Sequence, residues 1–276
     1  MTHPFERILL ATEHTEFDSG AERIALQLVK LCGLPLSAVI PVSSNPEYEA
    51  IAPQIAARAE QEAAAKIYDL RAIAQATGVE INIAARRGQE PFREIVQEAV
   101  ERASDLIVLR RRGKPGFLSN LLVGEMVTKV VAHAPCSTLF VPRAAQIWSH
   151  GVLAAVDTSP FAGHVASVAA KVASQCNLPL YIVSVLAHDT SANRAATEEA
   201  LSYARAAAEA AGMAAPGSSM LTGKPHEQIL AAAKNLNADL VVVGRHGESN
   251  LIRTPFGGTT QKVIGLADTP VMVVRA

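Results

Sequence analysis

Val241-Val242-Val243-Gly244-Arg245-His246-Gly247-Glu248-Ser249-Asn250-Leu251-Ile252-Arg253-Thr254-Pro255-Phe256-Gly257-Gly258-Thr259-Thr260 decides how this chain is read. Three β-branched residues run into a glycine pair, the pattern of a buried parallel strand followed by a turn. Gly244 and Gly247 are expected either to take positive φ or to let backbone approach a ligand closely. A second pair, Gly257 and Gly258, precedes an apolar-periodic segment. A helix starting near Thr259 would point its free N–H groups outward, where an anion such as phosphate is held.

Working outward, the rest of the chain alternates strand and helix patterns. In the first half, strands are expected over Arg7 to Glu13, Leu36 to Val42, Val79 to Ala84, Leu106 to Leu109 and Thr138 to Val141. Helical periodicity covers Ala21 to Cys32, closed by Gly33, then residues 50–77, and a stretch within Gly88 to Ala103 that tolerates Pro91 in its first turn. The second half repeats the series. Strands are expected over Val152 to Asp157, Leu180 to Leu186, Leu240 to Val243 and Val271 to Val274. Helices are expected over Ala162 to Cys176 and Ala192 to Ala211, with another starting at Gly223.

The repetition is literal in places. Cys32-Gly33-Leu34-Pro35-Leu36 corresponds to Cys176-Asn177-Leu178-Pro179-Leu180, and Asp105-Leu106-Ile107-Val108 corresponds to Asp239-Leu240-Val241-Val242. The spacing between copies shortens along the chain, which assigns the first copy an extra helical segment around Pro46 to Pro53. The expected organisation is two tandem Rossmann-like α/β domains, residues 1–143 and 150–276, joined by a linker over Arg143 to His150. Each is an open parallel sheet with right-handed crossovers.

Composition narrows the function classes. At 276 residues and 49% hydrophobic, the chain supports two cores. A formal net charge of −1 and 4% aromatics argue against nucleic-acid binding. The first residues lack a signal-peptide layout, and no apolar run reaches spanning length, so a cytoplasmic protein without membrane contact is expected. Cys32, Cys136 and Cys176 are too few and scattered for a disulfide framework or zinc site, and are expected as reduced core residues. No catalytic constellation or metal spacing stands out, and Gly223-Lys224-Pro225-His226 lacks the spacing of a P-loop.

In open parallel sheets, ligands bind at the carboxyl ends of strands, where the strand order reverses. That rule selects Asp157 and Thr158 after the first strand of the second copy, Val185 at the end of its second, and Val243, Gly244, His246 and Gly247 at the end of its fourth. Asp157 suits ribose hydroxyls or an adenine amino group; its alternative is a helix N-cap in Asp157-Thr158-Ser159-Pro160. Backbone at Val185 suits the adenine edge. Gly257, Gly258, Thr259 and Thr260 suit phosphates. His246 is a further phosphate candidate, with a plain loop histidine as its alternative.

Gly244, Gly247 and Gly257, followed by the hydroxyl residues, resemble the nucleotide-binding motif of the universal stress protein family. That motif is Gly, two residues, Gly, nine residues, then Gly with Ser or Thr. The resemblance extends over both copies, including Ala154-Ala155-Val156-Asp157-Thr158-Ser159 and Pro270-Val271-Met272-Val273-Val274. It implies five-stranded sheets with helices on both faces. It also implies ATP or another adenine nucleotide, with or without Mg, in the second domain, and pairing through the last strands, within one chain or as a homodimer. One departure is Gly258, which stands in the hydroxyl position.

The first copy departs further. Glu13 replaces the aspartate, Arg110-Arg111-Arg112-Gly113 replaces Gly244 to Gly247, and Glu125 follows Gly124 after a gap one residue too long. Arg110 would crowd a nucleotide and Glu125 would repel its phosphates. This copy is therefore expected not to bind ATP. The arginines there, with Arg86, Arg87 and Lys114, are expected either to face an acidic partner or to form a solvated basic loop. The leading expectation is a nucleotide-dependent stress regulator or sensor with a regulatory protein partner. A weak ATPase or autophosphorylating enzyme, and a scaffold without nucleotide, are the alternatives.

Overall fold

A computed structural model describes residues 4–13, 15–111, 124–246 and 257–275. The chain forms two compact units, one built on Phe5–Arg111 and Gly124–Ile147, the other on Trp148–Ala276.

The first unit runs β1 Ile8–Ala11, a 3-10 turn Glu16–Asp18, α1 Ser19–Cys32, β2 Leu36–Ser43, α2 Pro46–Ile51, α3 Pro53–Thr77, β3 Ile81–Gly88, α4 Pro91–Glu101, β4 Leu106–Arg110, α5 Glu125–His133 and β5 Ser137–Val141. Its strand order is β3-β2-β1-β4-β5. The second unit runs β6 Val152–Ala155, α6 Ala162–Gln175, β7 Leu180–Leu186, α7 Ser191–Ala210, β8 Gly217–Thr222, α8 Pro225–Asn235, β9 Leu240–Gly244, α9 Gly258–Leu266 and β10 Val271–Val274, in the order β10-β9-β6-β7-β8. Every described pairing within a unit is parallel. The central strands are buried on both faces, which is why they read as unbroken apolar runs: Leu9, Ile107, Val152 and Val242 have no exposed surface.

The repeated Asp-Leu motif now has a physical reason. Asp105 accepts hydrogen bonds from the backbone N–H groups of Glu6 and Arg7, at 2.8 and 3.0 Å. Asp239 does the same for Ser149, His150 and Gly151, at 2.7 to 3.1 Å. Each carboxylate ties the entry of its unit's first strand to the start of the fourth. Burial pushes the Asp239 carboxyl up, but the donors around it outweigh burial and hold it below the ordinary carboxylate range.

Several elements differ from the sequence expectation. The helix expected over 50–77 starts only at Pro53, as α3, and the extra helical segment expected around Pro46 to Pro53 is the separate α2. Helix α5 and strand β8 have no residue range in the sequence expectation, which reaches them only through the five-stranded, helix-covered sheets that the family resemblance implies. Gly217-Ser218-Ser219-Met220-Leu221-Thr222 is an edge strand with mostly exposed side chains, so no apolar face shows in its sequence. Cys32 is buried, but Cys136 and Cys176 are only partly so.

The arginine expectation is corrected as well. Strand β3 runs on to Gly88, and its Arg86 meets Glu98 at 2.6 Å and Glu101 at 2.7 Å. Arg87 meets Glu49 at 3.0 Å and also pairs with Glu60. Both guanidinium groups are neutralised from within the unit, so they form neither a free acidic-partner site nor a simple solvated loop. Arg112 and Lys114 lie outside the described residues.

Candidate functional site

In the second unit, a cavity of about 500 Å³ opens at the carboxyl ends of β6, β7 and β9, within the range of small-molecule sites. The chain leaves β6 toward β7 on one side and leaves β9 toward β10 on the other, so the cavity lies at the switch point. The N-terminal turns of four helices line it: Phe161 and Ala162 at α6, Asn193 in α7, Pro225 in α8, and Gly258 to Thr260 in α9. Four positive dipole ends thus converge on one space, a setting that favours an anion.

Asp157, Thr158, Val185, Val243, Gly244, His246, Gly257, Gly258, Thr259 and Thr260 all line this cavity. Gly247 falls outside the described residues. Their individual roles are sharper than the sequence allowed. Gly244 does not take positive φ. What it supplies is space, since a Cβ there would come within 3.3 Å of His246 O and 3.4 Å of Val165 Cγ2.

Asp157 is not the N-cap of α6, which is Phe161. Its Oδ1 accepts from Ser159 N at 3.1 Å in a local turn after the end of β6. The neighbouring Thr158 Oγ1 is buried without a hydrogen-bond partner among the described residues.

Val185 gains its place from register. Strand β6 ends at Ala155, paired with Val183, and Val156 N donates to Val183 O at 2.9 Å. In a parallel ladder alternate residues bond to opposite neighbours. Ser184 and Leu186 bond toward β8, as the Gly223 N to Leu186 O bond shows at 2.9 Å. Val185, two residues beyond Val183, therefore directs its N–H and C=O past the end of β6 into the crevice.

The phosphate-type end is divided between two threonines. Thr260 is 6% exposed and its hydroxyl donates to Gly244 O at 2.9 Å, so it braces the end of β9 against α9. Of the two hydroxyl residues expected at the phosphates, Thr259 is the exposed one. Gly257 is the N-cap of α9. A Cβ at Gly258 would meet nothing within 4 Å, so that position has room for the hydroxyl residue it lacks. Phe161, Asn193 and Thr197 also line the cavity. Their sequence context shows only ordinary helical periodicity, and no motif singles them out.

The equivalent place in the first unit is filled by protein. Ala11 pairs with Leu109 as Ala155 pairs with Val243, so Arg110 occupies the register of Gly244 and Glu13 that of Asp157. The Arg110 side chain is 7% exposed and pairs with Glu13. Its Nη1 donates to Thr15 Oγ1 at 2.6 Å, and its Nε lies 3.4 Å from Asp18 Oδ1. Burial raises the Asp18 carboxyl, against the opposing pull of Thr15 and Arg110. Glu125, the first residue of α5, pairs with Lys129 at 2.9 Å.

Fold and site together define a tandem α/β protein with a crevice at the switch point of its second sheet. The Universal stress protein family profile matches residues 4–142 and 150–275, and the chain belongs to that family. It is 36% identical over 56 residues to a universal stress protein of Methanocaldococcus jannaschii, a match covering 20% of this chain and 35% of that relative's length. The chain thus spans about a third of that protein. The crystal structure of a universal stress protein from Archaeoglobus fulgidus superposes with a TM-score of 0.72 at 20% identity, covering 99% of this chain and 97% of the other. A second structure from Archaeoglobus fulgidus, in complex with dAMP, is 26% identical, covers 45% of this chain and 97% of its own, and has a TM-score of 0.39. Among the described residues no helix is long and apolar enough to cross a membrane.

Proposed function

We propose that the chain binds one adenine nucleotide, with ATP as the reference ligand, in its second domain (residues 150–276), and acts as a nucleotide-dependent regulator or sensor. The observation that carries this reading is the convergence on one cavity of three complementary groups: the N-terminal turn of α9, the crevice-facing backbone of Val185 and the carboxylate of Asp157. The α9 N–H groups at Gly258, Thr259 and Thr260 receive the phosphates, with His246 beside them and any Mg carried on the phosphates themselves. Val185 reads the adenine edge, and Asp157 accepts from the ribose hydroxyls. Gly244 keeps the floor open and Thr158 lies beside Asp157; Gly247, by its place in the motif, continues the phosphate loop.

The first domain (residues 1–143) is silent toward nucleotide in this reading, because Arg110 occupies its site, and it is free to serve a regulatory protein partner. The test is calorimetric titration of the full chain with ATP. Saturable binding, weakened about tenfold or more in Asp157→Ala, supports the proposal, since a hydrogen bond to a charged group is worth about 1.5–3 kcal/mol. Absence of binding overturns it. Phosphate release well above background would instead assign the chain to ATP hydrolysis.

A further inference from the structure

The cavity carries two polar side chains on α7 that no nucleotide motif includes. Asn193 and Thr197 are one helical turn apart, and both line the cavity from the same face of that helix. Asn193 is held at its place by its own neighbours. Its backbone N donates to Thr190 Oγ1 at 3.2 Å, and its Nδ2 donates to His188 O at 3.0 Å. The bond to His188 O uses one of the two amide N–H groups and fixes the orientation of the amide, which leaves Oδ1, an acceptor only, for a ligand. Thr197 is 3% exposed, yet its hydroxyl makes no hydrogen bond among the described residues. A helical threonine ordinarily returns its hydroxyl to the preceding turn. An uncommitted hydroxyl on a buried residue at a cavity wall is a group waiting for a partner.

We propose that α7 is the specificity wall of the site, with Asn193 Oδ1 accepting from the exocyclic amine of adenine and Thr197 Oγ1 donating to ring nitrogen N7. The assignment rests on the nucleotide reading above and deepens it. Val185 lies on the sheet side of the cavity and takes one edge of the base, N1 and one hydrogen of the amine. The α7 pair faces the other edge, which in adenine offers the second amine hydrogen followed by N7. An acceptor followed by a donor, one turn apart, matches that order. Guanine and hypoxanthine place a carbonyl oxygen opposite Asn193 Oδ1, and the two acceptors repel. Phe161, 42% exposed, lines the same cavity.

The test compares ATP with 7-deaza-ATP, which keeps the amine and the phosphates but has carbon in place of N7, by equilibrium titration of the full chain. The expected result is about tenfold weaker binding of 7-deaza-ATP to wild type. In the near-isosteric Thr197→Val variant the two ligands are expected to bind equally. Asn193→Ala, at an exposed position, is expected to weaken ATP while leaving the triphosphate of unsubstituted purine riboside unchanged. Equal binding of ATP and 7-deaza-ATP by wild type overturns the assignment of α7 while leaving nucleotide binding standing. Failure of wild type to bind either ligand overturns both.

Discussion

Arg110 and Gly244 stand at the same register position in the two units, and Arg110, with Glu13 and Asp18 around it, occupies the space that Gly244 leaves open. Arg110 balances Glu13 and Asp18, so Arg110→Ala leaves two carboxylates facing each other without their cation. Breaking a buried pair from one side costs about 3–5 kcal/mol, and the variant is expected to unfold at distinctly lower temperature or denaturant concentration in its first unit. A change within error of zero would mean that the guanidinium is solvated in solution. The reverse change, Gly244→Arg, drives a side chain toward Val165 Cγ2, which a mere Cβ already approaches to 3.4 Å. It is expected to abolish nucleotide binding, and a titration showing unchanged affinity would remove Gly244 from the site. Gly258→Ser supplies a hydroxyl where there is open space. The expected gain is a few-fold in affinity for ATP, and a loss would show that the space is already used by the ligand.

At the scale of elements, Asp105 and Asp239 act as staples between strand entries. The Asp239 carboxyl is held below its ordinary range, so its folded form binds a proton less readily than its unfolded form. The stability it contributes is present above the unfolded pKa and is lost as pH falls through the folded one. Asp239→Asn is expected to lower stability at pH 7 and to flatten the fall in stability below about pH 4. Chemical unfolding across pH 2 to 7 checks this, and parallel curves for variant and wild type would contradict it. Helices α6 and α7 meet where a Cβ on Gly163 would lie 2.5 Å from the Tyr203 ring, so a larger residue at 163 forces that helix pair apart.

Elements became legible in the sequence where burial made them so. The inner strands β1, β4, β6 and β9 lie between two helical layers and read as apolar runs; β8 is an exposed edge whose pairing is all backbone, and Ser218 and Ser219 give no sign of it. The same division holds in the site. The glycine motif and Asp157 stand out because turns and strand tips demand particular residues. Asn193 and Thr197 are ordinary helix residues until α7 is placed over the cavity. The division of labour between Thr259 and Thr260 depends on which way each side chain faces at the first turn of α9, and residue type alone carries no such information. Likewise Arg86 and Arg87 look like a basic patch until α2, α3 and α4 bring Glu49, Glu60, Glu98 and Glu101 to them.

For the whole molecule, duplication produced two copies of one architecture with opposite answers to the same question. One copy closed its strand-tip crevice with an internal arginine and the carboxylates that balance it. The other kept a cavity edged by the first turns of four helices, the end of β7 and an aspartate. One open site per chain fixes a number, and calorimetric stoichiometry of ATP binding to the full chain measures it. The predicted result is one nucleotide per chain, abolished by Gly244→Arg and retained at the same count in Arg110→Ala. Two nucleotides per wild-type chain, or one that survives Gly244→Arg, would contradict it.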